Sequence, residues 1–218
     1  LSAAVMIAMM QRDTPQPAAS RFRLRREYGL YYWLTVLYGT RKQLFLTFAP
    51  WGLVTVFHEP TETIAILLFI GGVIGIFFKP WLGHLIDRRG ERFVFTAEAS
   101  LLILICLGYA FASDLFAPRA ALAVTAGCYI IDQLLVSAGM ARATWLKKIA
   151  LVPEDVQQTL TMGVSIDHVF SITIALVGGV LWREAGHSAV FIVGAGIAVI
   201  NLISARFVRV PRPVAGRS

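Results

Sequence analysis

Three short polar clusters interrupt long apolar stretches of this 218-residue chain: Arg41-Lys42-Gln43, Asp132-Gln133 and Asp167-His168. Their types suit a definite chemistry. A lysine or arginine can attract an anionic group, and a carboxylate beside it can change protonation as its partner moves. Arg41 and Lys42 are therefore candidates for drawing in an anionic group, or for holding Asp132 until such a group displaces it. Asp132, Asp167 and His168 are candidates for a proton relay. Helical spacing adds neighbours: Tyr38 shares a face with Lys42 and lies close to Arg41, while Thr125, Tyr129 and Asp132 share a face, as do Gly163, Asp167 and Ser171. Gln43 and Gln133 complete the candidate set.

These clusters need helices in an apolar medium. Apolar residues make up 57% of the chain and charged residues 15%, with a mean hydropathy of +0.68, against about 25% charged in ordinary soluble domains. The apolar residues come as long runs, as membrane-crossing helices require. The fold class expected is an all-α membrane protein. The net charge of +7 gathers in loops at regular intervals, as orientation signals do, so nucleic acid is not an expected partner. Cys106 and Cys128 fall inside apolar runs and read as core packing. No nucleophile elbow, phosphate loop or metal-ligand set is present, so neither an enzyme nor a cofactor is expected.

Taken in order, residues 1–10 read as the end of a truncated preceding helix, and 11–28 as a basic linker. Six spans follow, at about 29–57, 63–82, 93–112, 120–143, 154–182 and 189–207, then a tail at 208–218. Tyr31, Tyr32 and Trp33 fit an interfacial belt. One side of the expected bundle holds 15 Lys/Arg, Arg142, Lys147 and Lys148 among them, and the other holds only Arg119 and Arg183. That bias makes the termini cytoplasmic.

With a rise of about 1.5 Å per residue, Arg41 lies roughly 18 Å from Gly29, Asp132 roughly 22 Å from Lys147 and Asp167 roughly 20 Å from Glu154. Three spans thus carry polar groups at one depth. A charge there costs about 2.5–3.5 kcal/mol. Arg41, Lys42, Asp132 and Asp167 sum to zero, so mutual pairing offsets that cost. Purely structural pairing is the competing reading. The third span has only Glu98, within reach of the interface. Lys79 reads as a snorkelling side chain, and Gly71, Gly72 and Gly75 as a helix-packing face.

Between the second and third spans stands Gly83-His84-Leu85-Ile86-Asp87-Arg88-Arg89-Gly90-Glu91-Arg92, expected as a charged loop turned by Gly83 and Gly90. Gly83, Asp87, Arg88, Gly90 and Arg92 in this position resemble the loop signature of the major facilitator superfamily. Glu91 replaces the usual basic residue, which fits the degenerate second-half copy. The resemblance covers about residues 20–210. It implies one six-helix half of a secondary transporter, with the first, fourth and fifth spans at a central cavity and a missing N-terminal six-helix half as partner. Asp87 can cap a helix start or pair with Arg88 or Arg92, fastening two helix ends as a cytoplasmic latch. The implied activity is alternating-access movement of a small, anionic, proton-coupled solute across the bacterial inner (plasma) membrane. The alternative is a transporter-like scaffold or sensor that moves nothing.

Overall fold

A computed structural model of the chain describes residues 26–209. The expectations for the truncated helix, most of the linker and most of the tail lie outside these residues. The described chain is all-helical: α1 Gly29–Thr55, α2 Thr61–Arg89, α3 Glu91–Leu115, α4 Pro118–Leu135, α5 Gly139–Ile149 and α6 Pro153–Ala205. A short 3-10 turn, Arg26–Tyr28, leads into α1, and another, Val136–Ala138, joins α4 to α5.

Among the described residues, four stretches are long and apolar enough to cross a membrane: α2, α3, the α4–α5 unit Pro118–Ile149, and α6. The 27 residues of α1 reach about 40 Å. Its Arg41-Lys42-Gln43 cluster lowers its hydropathy, yet the helix runs through that cluster unbroken.

As one rod, the 53 residues of α6 would extend about 80 Å. They do not, because Gly186 leaves the helical region at φ 81°, ψ 177°. The contacts show a reversal there. Along residues 153–185 the order follows α1: Asp155 meets Tyr28, Gly163 lies against Tyr31, Ser171 donates to the Gly39 carbonyl, and Gly178 packs on Phe48. Past Gly186 the order inverts: the Phe191 ring lies tilted against Phe45, Gly194 lies against Leu44, and Ser204 accepts from Trp33 Nε1. The two arms of α6 are antiparallel, and the expected turn over Arg183–Ser188 shrinks to one glycine.

Gly90 does the same between α2 and α3, at φ 80°, ψ 163°. The expected ten-residue loop is therefore corrected. Gly83 and Asp87 belong to α2, which ends at Arg89, and α3 starts at Glu91. Both glycines sit in a backbone region essentially closed to residues with a Cβ, at a cost of about 1–3 kcal/mol. Gly90→Ala and Gly186→Ala should each lower the thermal unfolding midpoint in detergent. Gly83→Ala should hold or raise it, since a Cβ there meets nothing within 4 Å and alanine gains about 1 kcal/mol in a helix.

Two aromatic-rich clusters form the core. One lies around Phe45, Tyr109 and Phe191, the other around Tyr28, Phe95 and Trp145. Tyr31 and Tyr32 are buried in the second cluster, which corrects the expected belt, and only Trp33 of the three is exposed. Trp145 likewise belongs to a helix that continues to Ile149, where a connector was expected. The outer residues of α3 (Leu101, Leu104, Leu107) and of the second α6 arm (Ile192, Val199, Ile203) are apolar, as lipid-facing surfaces are. Gly71 and Gly75 of α2 lie against Gln133 and Leu134 of α4, the expected small-residue packing, while Gly72 faces open space.

Candidate functional site

Consecutive helical residues point about 100° apart, so Arg41 and Lys42 cannot share a partner. Arg41 turns to α4, where its Nη2 lies 2.6 Å from Asp132 Oδ1, with both residues 3% exposed. Lys42 turns to the first arm of α6, where its Nζ lies 3.0 Å from Asp167 Oδ2. The mutual pairing expected from charge neutrality is what the fold builds, divided between two helices.

The pairs are not fully satisfied. Arg41 Nε and Nη1 and Asp167 Oδ1 are buried with no hydrogen-bond partner among the described residues. Asp167 gains its place from a missing side chain: a Cβ on Gly39 would stand 1.3 Å from Asp167 Oδ1. Gly39 lets α1 and α6 approach there, and Ser171 donates to its carbonyl oxygen at 3.3 Å. Gly163, Asp167 and Ser171 therefore do share one buried face, directed at α1.

A third buried pair escaped the sequence reading. Arg142 of α5 reaches Glu98 of α3 with two contacts, at 3.3 and 3.4 Å, and both residues are buried. Arg142 had been counted with the loop cations and Glu98 placed near the interface. Both belong to the interior, because α5 continues the fourth helix past its expected end. A fourth pair follows: Lys148 Nζ lies 2.6 Å from Glu91 Oε1, at an angle too poor for a hydrogen bond, with Glu91 fully buried. Glu91 and Glu98 stand seven residues apart, on one face of α3. That spacing is the signal that could have found both.

Tyr38 sits where the cations converge. Arg142 Cζ lies 3.7 Å from its ring centroid, Lys42 Nζ 5.8 Å and Arg41 Cζ 5.9 Å, all within cation–π range. Its hydroxyl donates to the Val136 carbonyl at 2.9 Å, in the 3-10 turn between α4 and α5. Tyr38, Lys42, Arg142 and Asp167 also line one open cavity of about 240 Å³, together with Tyr31, Thr35 and Leu160.

The other candidates lie apart. His168 is exposed, and its Nδ1 contacts the carbonyl of Val164, one turn back on its own helix. Gln43 donates to Thr47 on its own helix. Gln133 packs against α2 at Gly71 and interacts with Tyr129, one turn back on its own helix. Tyr129 is buried in the core cluster of Phe45 and Tyr109. Among the residues of the loop signature, Asp87, Arg88 and Arg92 are exposed, and none makes an ion pair among the described residues. The link between helix ends on that side is Glu91–Lys148. Among the described residues no group of His, Cys, Asp and Glu could hold a metal ion.

The arrangement holds buried charge in matched pairs. Three cations surround one tyrosine, and each is matched by a carboxylate from a different helix. Comparison with known protein families, curated proteins and solved structures finds no match.

Proposed function

We propose that this chain is one six-helix half of a major-facilitator-type secondary transporter. It would move a small anionic solute together with protons by alternating access, opposite a second six-helix half. The observation that carries the reading is the set of ion pairs around Tyr38, beside a cavity that Lys42, Arg142 and Asp167 line. Buried ion pairs seldom stabilise a fold better than apolar packing would. Pairs left partly unsatisfied are worse still for stability, so their retention favours a functional role.

Further features support it. With α6 divided at Gly186, six helical segments alternate in direction, as six crossings require. Outward-facing polar residues also concentrate on two neighbouring segments. The first arm of α6 exposes Gln157, Thr161, Ser165 and His168, and α1 presents Thr40, Gln43 and Thr47 at helical spacing. Such a face suits water or a protein partner better than lipid. Removing Arg142 from the cytoplasmic cations leaves the charge bias strong, so the termini are assigned to the cytoplasm. For coupling, Asp167 is the best-placed proton acceptor. An anion that captures Lys42 deprives it of its only partner among the described residues, and its other oxygen is already without a donor there.

The same pairing gives a second reading some support. A transporter-like scaffold or sensor would use fully matched charges only to hold helices in register. Thiol labelling separates the two. Val164 lines the cavity and is 55% exposed. In a background with Cys106 and Cys128 replaced by alanine, Val164→Cys should react with a membrane-impermeant maleimide from either side of reconstituted vesicles. Reaction from one side only, at every pH and ion gradient, would favour the scaffold and end the transport reading.

A further inference from the structure

Lys79 of α2 differs from the cations above. Arg41, Lys42, Arg142 and Lys148 each have a carboxylate, whereas Lys79 has no ion-pair or hydrogen-bond partner among the described residues. It lies ten residues, about 15 Å along the helix, from the charged end at Arg89. Its surroundings are apolar: Ile76, Phe77 and Trp81 are all exposed on the same helix. A lone charge in hydrocarbon costs about 2.5–3.5 kcal/mol.

Lys79 is exposed, and its Cα–Cβ bond leans toward the helix N-terminus, the Thr61 end. A cavity of about 270 Å³ opens on that side, lined by Lys79 together with Gly71, Gly72 and Gly75 of α2 and Gln133 and Ser137 across from them. Gly75, Gly72 and Gly71 precede Lys79 by four, seven and eight residues, one helix face that offers no side chain to obstruct the amine. Gln133 supplies amide N–H donors and Ser137 a hydroxyl. Gln133 is next to Asp132, so the cavity reaches the depth of the Arg41–Asp132 pair.

We propose that this α2–α4 cleft is an oxyanion site, in which Lys79 pairs with a phosphate or carboxylate that Gln133 and Ser137 hydrogen-bond. Charge-assisted bonds of this kind are the strong ones, and the cleft has room for a small anionic group with several further atoms. The proposal rests on α2 lying in a membrane and does not require transport. Two sources share the chemistry: an anionic phospholipid headgroup entering from the bilayer, and a free solute.

The test uses the purified full chain in a neutral detergent, titrated with short-chain phosphatidylglycerol, with short-chain phosphatidylcholine and with inorganic phosphate. Binding is read by native mass spectrometry and by thermal shift. Phosphatidylglycerol should bind the wild type, and Lys79→Gln should weaken it by about tenfold, the loss expected for one charge-assisted bond. Gln133→Leu should weaken it less while keeping the unfolding midpoint, which separates a binding defect from misfolding. Lys79-dependent binding of phosphatidylglycerol alone supports a headgroup site. Lys79-dependent binding of phosphate as well supports a solute site. Equal binding of every probe by wild type and Lys79→Gln overturns the proposal, as does a wild type that binds neither anion.

Discussion

Asp132→Ala is expected to destabilise the folded chain by about 3–5 kcal/mol, the cost of leaving a buried charge without its partner. Arg41 is 3% exposed, and Nη2 is its only bonded nitrogen. Without Asp132, the whole guanidinium would be buried unpaired. The informative comparison is the double variant Arg41→Met/Asp132→Leu. Replacing a buried ion pair by apolar residues of similar size is often neutral or stabilising, so this variant should unfold at or above the wild-type midpoint in detergent. If the proposed function is right, the same variant should lose coupled transport despite its stability. A double variant as unstable as Asp132→Ala would show that the pair is needed for folding and would remove the energetic reason for assigning it a function.

Gly39→Ala should have the second large effect, because it acts on backbone approach and ion pairing together. The added Cβ would stand 1.3 Å from Asp167 Oδ1 and 2.5 Å from its Cγ. The carboxylate must leave, or α1 and α6 must separate. Overpacking of a fitted interior costs about 1–3 kcal/mol, and the loss of the Lys42–Asp167 pair adds to that. Asp167→Asn should not rescue Gly39→Ala, since the amide is as large as the carboxylate. Asp167→Ala should rescue it in part, by emptying the space while leaving Lys42 unpaired. Unfolding midpoints of the three single and two double variants decide the matter. A Gly39→Ala chain as stable as wild type would mean that the helices do not meet closely at that point.

Both predictions turn on residues that the sequence singled out or passed over for identifiable reasons. Arg41, Lys42, Asp132 and Asp167 were legible because a charge in an apolar run is expensive, and the expense is a local property. Their pairing was legible as a sum of charges, but the partners were not. Which of two adjacent cations meets which carboxylate depends on the angular setting of three helices about their axes. Gly39 lies two residues before the Arg41-Lys42-Gln43 cluster, inside a helix that passes through both. Its use is the space it leaves for a residue 128 positions away.

Arg142, Glu98 and Glu91 were misread for a related cause. A charge near the end of an apolar run can face the headgroup region or turn inward, and hydropathy is the same in both cases. The fold turned all three inward, because α5 prolongs the fourth helix beyond its apolar part and places its cations against α3. Lys79 shows the converse. Its sequence position suggests an escape to the surface, and the packing of α2 on α4 adds a glycine-lined cleft beside it.

By itself the sequence determined that the chain is helical and apolar enough for a membrane, roughly where each helix runs, and which charges would be costly enough to need partners. These are properties of composition and of short-range spacing along one helix. Only the tertiary structure decided that two single glycines, Gly90 and Gly186, make turns expected to be longer, and that four cations find four carboxylates on other helices. It also decided that Tyr38 lies where three of those cations meet. Such features depend on helix rotation, on close approach and on the direction of side chains, which arise only when separate helices pack together.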